Sequence, residues 1–146
     1  QDLAAAMLER GILPELEAFD LGMINYARYL ISKELIKPPY YFNLILGNIA
    51  CAQATMMNLG IMVNDLPSGS IWSAGGVGNA QLWANAASLV DGGGVRVGLE
   101  DNIWYDEERT RLATNRELVE RTLQIARALG REPYTRREAR ELLMKR

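Results

Sequence analysis

The chain has 146 residues, 49% apolar and 23% charged, with a net charge of −2. It is long enough for one packed domain and too apolar for a disordered one. The near-neutral balance, with no basic run before the last helix, argues against a nucleic-acid partner, and no apolar run approaches the ~20 residues of a membrane span.

A single cysteine, Cys51, excludes an internal disulfide and suits a reducing cytoplasm, where we expect the protein to reside. No secretion signal is visible in these residues, which open inside an amphipathic segment. Histidine is absent altogether, so neither histidine catalysis nor histidine metal ligation can come from these residues. The chain opens at Gln1, inside a helical pattern, which reads as a cut in a longer sequence.

In chain order, Asp2–Arg10 reads as a helix closed by Gly11. Ile12–Asp20 reads as a strand and Leu21–Ile36 as a helix stopped by Pro38-Pro39. Tyr40–Leu46, nearly all aromatic or aliphatic, reads as a strand buried on both faces. Asn48–Gln53 forms a loop and Ala54–Leu66 a helix ending at Pro67. A short strand, Ile71–Ser73, leads into the loop Ala74-Gly75-Gly76-Val77-Gly78. Gln81–Val90 is a helix and Val95–Leu99 a fourth strand.

After a polar loop, Thr114-Asn115-Arg116-Glu117 is a capping box opening a helix that Gly130 closes. Thr135-Arg136-Arg137-Glu138 is a second box, opening a final helix to Leu143. Strands start roughly every 23–31 residues and alternate strictly with helices, which implies parallel pairing through crossovers. The period suits half of a (β/α)8 barrel or a small open doubly wound sheet. Four strands are few for either.

Chemistry concentrates in Gly94-Val95-Arg96-Val97-Gly98-Leu99-Glu100-Asp101-Asn102. If Val95–Leu99 is a strand, Val95, Val97 and Leu99 share a packing face while Arg96, Gly98 and Glu100 share the other. At ~3.3 Å per residue Arg96 and Glu100 lie about 13 Å apart, so they should not pair with each other. Glu100 and Asp101 fall at the carboxyl end of the strand, where parallel α/β proteins carry their sites. A structural ion-pair layer is the plainer alternative, since buried charges need partners.

Glu15 and Glu17 repeat the theme on the first strand, sharing a face with Phe19. Glu15 sits near the strand start, so Glu17 is the favoured site residue. The glycine loop ending at a helix start resembles an anion cradle, and it serves equally as a tight turn. Asn48 stands at the end of the second strand, placed for ligand contact or simply for a turn. Trp72 and Trp83 read as core. Cys51 has no basic neighbour and makes a poor nucleophile. Ile103–Arg111 is a lid, a subunit contact or a plain surface loop.

In context, "LPELEAFDLGM", "LGN" after an aromatic strand, "LPSGSIWSAGGVGNAQL", "GGGVRVGLEDN" and "LATNRELVERTLQIARALGREP" resemble the β-keto acid cleavage enzymes, in order from about Gly11 onward. The resemblance implies that residues 1–146 form a single domain, the C-terminal half of a TIM barrel with about four βα units and a terminal helix. It implies a divalent metal, usually zinc, and a homo-oligomer. The implied reaction is cleavage of a β-keto acid with acetyl-CoA, giving acetoacetate and a new acyl-CoA by a retro-Claisen route. Glu100 would ligate the metal, Arg96 and Asp101 would act as a catalytic pair, and one glutamate of the first strand, Glu17 in preference to Glu15, would join them at the site; Glu15, with Asn48, Gly75 and Gly76 read from their position alone, is a candidate for substrate or coenzyme contact.

The resemblance also implies what is missing. The family's other ligands are histidines of an upstream H-x-H motif, so this chain alone is expected to be inactive. The alternatives are another metal-dependent carbon–carbon lyase on the same barrel, or a non-catalytic half-barrel that binds a ligand or partner.

Overall fold

The computed structural model describes residues 1–144. It contains α1 (Asp2–Glu9), β1 (Glu15–Ala18), α2 (Leu21–Ser32), β2 (Tyr41–Leu46) and α3 (Met56–Asn64). Then follow β3 (Ile71–Gly76), α4 (Ala80–Val90), β4 (Gly94–Val95), α5 (Asn115–Ala128) and α6 (Arg136–Met144). The order is the one expected from the sequence, and the sheet is β1-β2-β3-β4 with every neighbouring pair parallel. No helix among the described residues is long and apolar enough to cross a membrane.

Helix starts follow from side chains that satisfy first-turn N–H groups. The Asp20 carboxylate accepts from Met23 N at 3.0 Å and the Thr55 hydroxyl from Asn58 N at 3.2 Å. Both expected capping boxes form: Thr114 and Glu117 bond reciprocally, as do Thr135 and Glu138. Gly130 leaves α5 with φ +71°, a conformation that favours glycine.

The sheet has two unlike faces because side chains alternate. Phe42, Leu44 and Leu46 of β2, with Ala18 and Ala74, pack against Ile24 and Ala27 of α2, Leu59 and Met62 of α3, and Ala84 and Ala87 of α4. Trp72 and Trp83 pack against the same cluster, as expected. Helices thus cover one face, and the opposite face carries Glu15, Glu17, Asn43, Ser73 and Arg96. β1 and β4 are the edges of this open sheet.

The structure departs from the expectation at three strands: β1 keeps only Glu15–Ala18 of the expected Ile12–Asp20, and β3 and β4 also differ. β3 runs through Gly76, so the glycine pair lies inside the sheet and the loop begins at Val77. β4 is two residues long rather than five. Its ladder with β3 is Ser73↔Gly94 and Ala74↔Val95, followed by one bond from Arg96 N to Ala74 O at 3.1 Å. The chain then bends at Gly98, where Asp101 N and Asn102 N both donate to Gly98 O at 3.3 Å.

Candidate functional site

This bend makes an elbow, residues 98–101, held by groups from outside the sheet. On α4, the carboxamide of Asn85 donates to Arg96 O at 2.7 Å and to Ala74 O at 3.1 Å. One turn earlier, Gln81 Nε2 donates to Gly98 O at 2.8 Å. Leu99 N donates to Asn115 Oδ1 at 2.9 Å, and Gly78 N donates to Asp101 O at 2.8 Å. Both Gln81 and Asn85 are buried, so these carboxamides substitute for the strand neighbour that a longer β4 would need.

The elbow overturns the expected 13 Å separation. Arg96 pairs with Glu100, whose carboxylate the bend folds back onto the guanidinium. The same guanidinium donates through Nε to Asp101 Oδ2 at 3.1 Å, and through its third nitrogen to Glu17 across the sheet. Three carboxylates therefore share one cation. Their surroundings differ: the Asp101 side chain is 9% exposed, whereas that of Glu100 is 81% exposed. The hydrogen bond to Asp101 is the largest influence on Arg96 and raises its pKa; burial opposes it, and the charges of Asp101, Glu17 and Glu100 reinforce it.

A second polar line runs beside this cluster. Tyr41 hydroxyl and Ser73 Oγ lie 3.1 Å apart, Ser73 donates to the Asn43 carboxamide oxygen, and Asn43 donates to Glu15. Asn43 and Ser73 are buried and occupy one layer of the ladder with Glu17. Glu15, Tyr41, Asn43, Arg96, Glu100 and Asp101 line an open hollow of ≈ 500 Å³. Glu15 and Glu17 both belong to this face, Glu17 on Arg96 and Glu15 on Asn43.

The glycines have packing roles. A Cβ on Gly75 would stand 3.2 Å from Arg96 Cβ, and one on Gly76 would stand 2.5 Å from Ala80 O. Gly75 thus gives the Arg96 stem its place, and Gly76 lets α4 approach the strand end. Asn48 lies in the loop after β2, where its carbonyl accepts from Gln53 Nε2 at 2.9 Å. Asn43, Ser73, Gln81 and Asn85 were missed by the sequence reading. Asn43 had a signal, as the one side chain able to donate through an amide in an otherwise aromatic and aliphatic strand.

Comparison with known proteins decides the family. The profile of the beta-keto acid cleavage enzymes matches residues 1–144. The chain belongs to the β-keto acid cleavage enzyme family. Its relatives include the 3-keto-5-aminohexanoate cleavage enzyme of Fusobacterium nucleatum subsp. nucleatum, 42% identical over 94% of this chain and 49% of that protein. The enzyme of the same name from Acetoanaerobium sticklandii is 37% identical over 94% and 50%. The 3-dehydrocarnitine:acetyl-CoA trimethylamine transferase of Rhizobium meliloti is 34% identical over 98% and 47%. The chain spans about half the length of the curated relatives it matches.

Within this family member, the donors present do not fit a metal by themselves. Among the described residues no group of three or more His, Cys, Asp or Glu is placed to hold an ion, and the sequence has no histidine. Arg96 engages Glu17, Glu100 and Asp101 in the space where a cation would have to compete with it.

Beyond the elbow, the loop from Ile103 to Arg111 is braced rather than open. Trp104 bridges to Leu112, and the Tyr105 ring lies between the guanidiniums of Arg111 and Arg121, 4.3 and 4.5 Å from its centroid. Asp106 accepts from Thr110 Oγ1 at 2.5 Å, Thr110 N at 3.0 Å and Arg111 N at 2.8 Å. The Thr110 hydroxyl contributes most to lowering the Asp106 pKa from 3.8 to about 2. A depressed folded-state pKa stabilises the turn above about pH 4, and that contribution is lost as pH falls through about 2. The Asp106 carboxyl should therefore titrate by NMR with a midpoint near 2, and a midpoint at 3.8 would show the turn open.

Proposed function

We propose that this chain, completed to the length of its relatives, cleaves β-keto acids with acetyl-CoA. In that reaction the bond between the keto carbon and the CH₂ that carries the carboxylate breaks. The CH₂–COO⁻ unit joins the acetyl group to give acetoacetate, while the CoA thiolate takes the remaining acyl group. Atoms and charge balance with no external oxidant.

The observation that carries this reading is the Arg96 fork with Asp101 beside it. Three of the five guanidinium N–H groups face carboxylates, so two remain for the carboxylate of a keto acid. Glu100, the most exposed partner, can turn away and release a third. Asp101, held against Nε, is the candidate acceptor for the acidic proton between the ketone and the carboxylate. Glu17 orients Arg96 from across the sheet, and the Glu15–Asn43 line borders the substrate side.

Zinc and its ligation by Glu100 follow from the family resemblance, and the other donors would come from outside this chain. No step above passes through a metal. A (β/α)8 barrel closed at β1 and β4, a cytoplasmic location and a homo-oligomeric assembly complete the reading. Names among the relatives support acetyl-CoA as co-substrate, including the 3-oxoadipate:acetyl-CoA acetyltransferase of Cupriavidus necator. Incubating the complete polypeptide with acetyl-CoA and a panel of β-keto acids should give acetoacetate together with one new acyl-CoA per accepted acid. Turnover of keto acids without acetyl-CoA would instead mark a different carbon–carbon lyase.

A further inference from the structure

Two glycines stand side by side at the end of β3, and a methyl group on each would meet different neighbours. On Gly76 it would lie 2.5 Å from Ala80 O and 2.9 Å from Gln81 N, so Gly76 answers to α4. On Gly75 the three nearest atoms would be Arg96 Cβ and Arg96 O, both at 3.2 Å, and Arg96 Cγ at 3.4 Å. All three belong to one residue. Backbone conformation does not account for Gly75, since its φ is not positive, and a glycine inside a strand weakens it. What needs the missing side chain is the stem of Arg96.

A contact at 3.2 Å obliges the neighbour to give by a few tenths of an ångström. The backbone of Arg96 is held on both sides. Its N–H donates to Ala74 O at 3.1 Å, and its carbonyl accepts from the buried Asn85 carboxamide at 2.7 Å. The displacement would therefore pass into the side-chain torsions and be carried out to the guanidinium. There is little slack there: the bond from Nε to Asp101 Oδ2, at 3.1 Å, already lies near the long end of the roughly 2.7–3.2 Å range.

Asp101 would not follow such a shift. Its carbonyl accepts from Gly78 N at 2.8 Å, and the residues before it are tied to Gln81 and Asn115. Arg96 and Asp101 thus hang from different supports, and moving one misaligns the pair.

We infer that Gly75 is a positioning residue: by carrying no Cβ, it sets where the Arg96 guanidinium meets Asp101. It acts through Arg96 and not by contact with substrate. The inference rests on the reaction proposed above for its kinetic readout, and the geometry of the Arg96–Asp101 pair gives a readout independent of that reaction.

In the complete polypeptide, Gly75→Ala should lower kcat/KM by roughly ten-fold or more, since a misplacement of about 1 Å can cost ~10²-fold. In an Arg96→Lys background, where the fork is already lost, the same substitution should cost less than about three-fold further, because coupled residues do not add. A merely structural role would cost the same factor in both backgrounds. A crystal structure of the Gly75→Ala protein should show Arg96 Nε beyond hydrogen-bond distance of Asp101 Oδ2, with the backbone of residues 98–101 unmoved. If Gly75→Ala does not fold, a double variant, Gly75→Ala with Arg96→Gly, removes the Cβ and Cγ that the methyl would meet. It should unfold in urea at the same midpoint as Arg96→Gly alone.

Activity within three-fold of the parent, an equal loss in both backgrounds, a preserved bond from Nε to Oδ2, or a double variant less stable than Arg96→Gly overturns the inference. A parent inactive toward every β-keto acid removes the proposed reaction instead, and the place of the guanidinium in Gly75→Ala then decides the inference alone.

Discussion

Replacing Arg96 by lysine in the complete polypeptide should lower kcat/KM for the proposed β-keto acid cleavage by roughly 10²–10³-fold while the protein stays folded. Lysine keeps the charge but not the planar fork. One ammonium cannot face Glu17, Glu100 and Asp101 in the directions that Nε and the two terminal nitrogens now take. A substrate carboxylate would lose its paired donors, and Asp101 would lose the partner that aims it. The three acids would still share one positive charge, but with no fork to hold each of them in its own direction. A rate within three-fold of the parent would remove Arg96 from the proposed chemistry.

The second large effect is expected on stability, at Asn85. This side chain is 1% exposed and directs its amide hydrogens at two carbonyls, Ala74 O and Arg96 O. Asn85→Asp changes almost no volume and reverses the polarity. A carboxylate would face two carbonyl oxygens in a buried place, and a protonated acid could donate to only one of them. We expect a loss of about 3–5 kcal/mol, read as a lower urea midpoint with an unchanged m-value. Asn85→Leu, which strips Arg96 O of its donor and leaves Ala74 O with only its bond from Arg96 N, adds no charge and should cost less, about 1–3 kcal/mol. Asn25→Asp on the exposed side of α2 should change stability by less than about 0.5 kcal/mol. Equal midpoints for all three proteins would show that the amide does not hold the strand end.

Element order was legible because its signals are local. Capping residues, proline stops and glycine exits mark helix ends wherever the chain later packs, and β2 announced its burial through its composition. The face shared by Glu15 and Glu17 was legible for the same reason, as alternation needs no tertiary knowledge. The fourth strand was not. Val-Arg-Val-Gly-Leu-Glu alternates as a strand does, yet the sheet offers it only two residues of ladder. What ends it lies elsewhere in sequence, in Gln81, Asn85 and Asn115, whose carboxamides bind backbone that a strand would have paired. The Arg96–Glu100 pair was hidden for that reason. Gly75 and Gly76 suggested an anion loop because sequence shows a missing side chain but not what fills its place.

The elbow has one further property. Each of its bonds to Gln81, Asn85, Asn115 and Gly78 ends on a main-chain atom of residues 96 to 101, never on a side chain. Its shape is therefore indifferent to which side chains it displays. Exchanging Glu100 or Asp101 for the corresponding amide alters charge and proton affinity at a preserved location. Natural variation at these positions can retune reactivity without rebuilding the support beneath it.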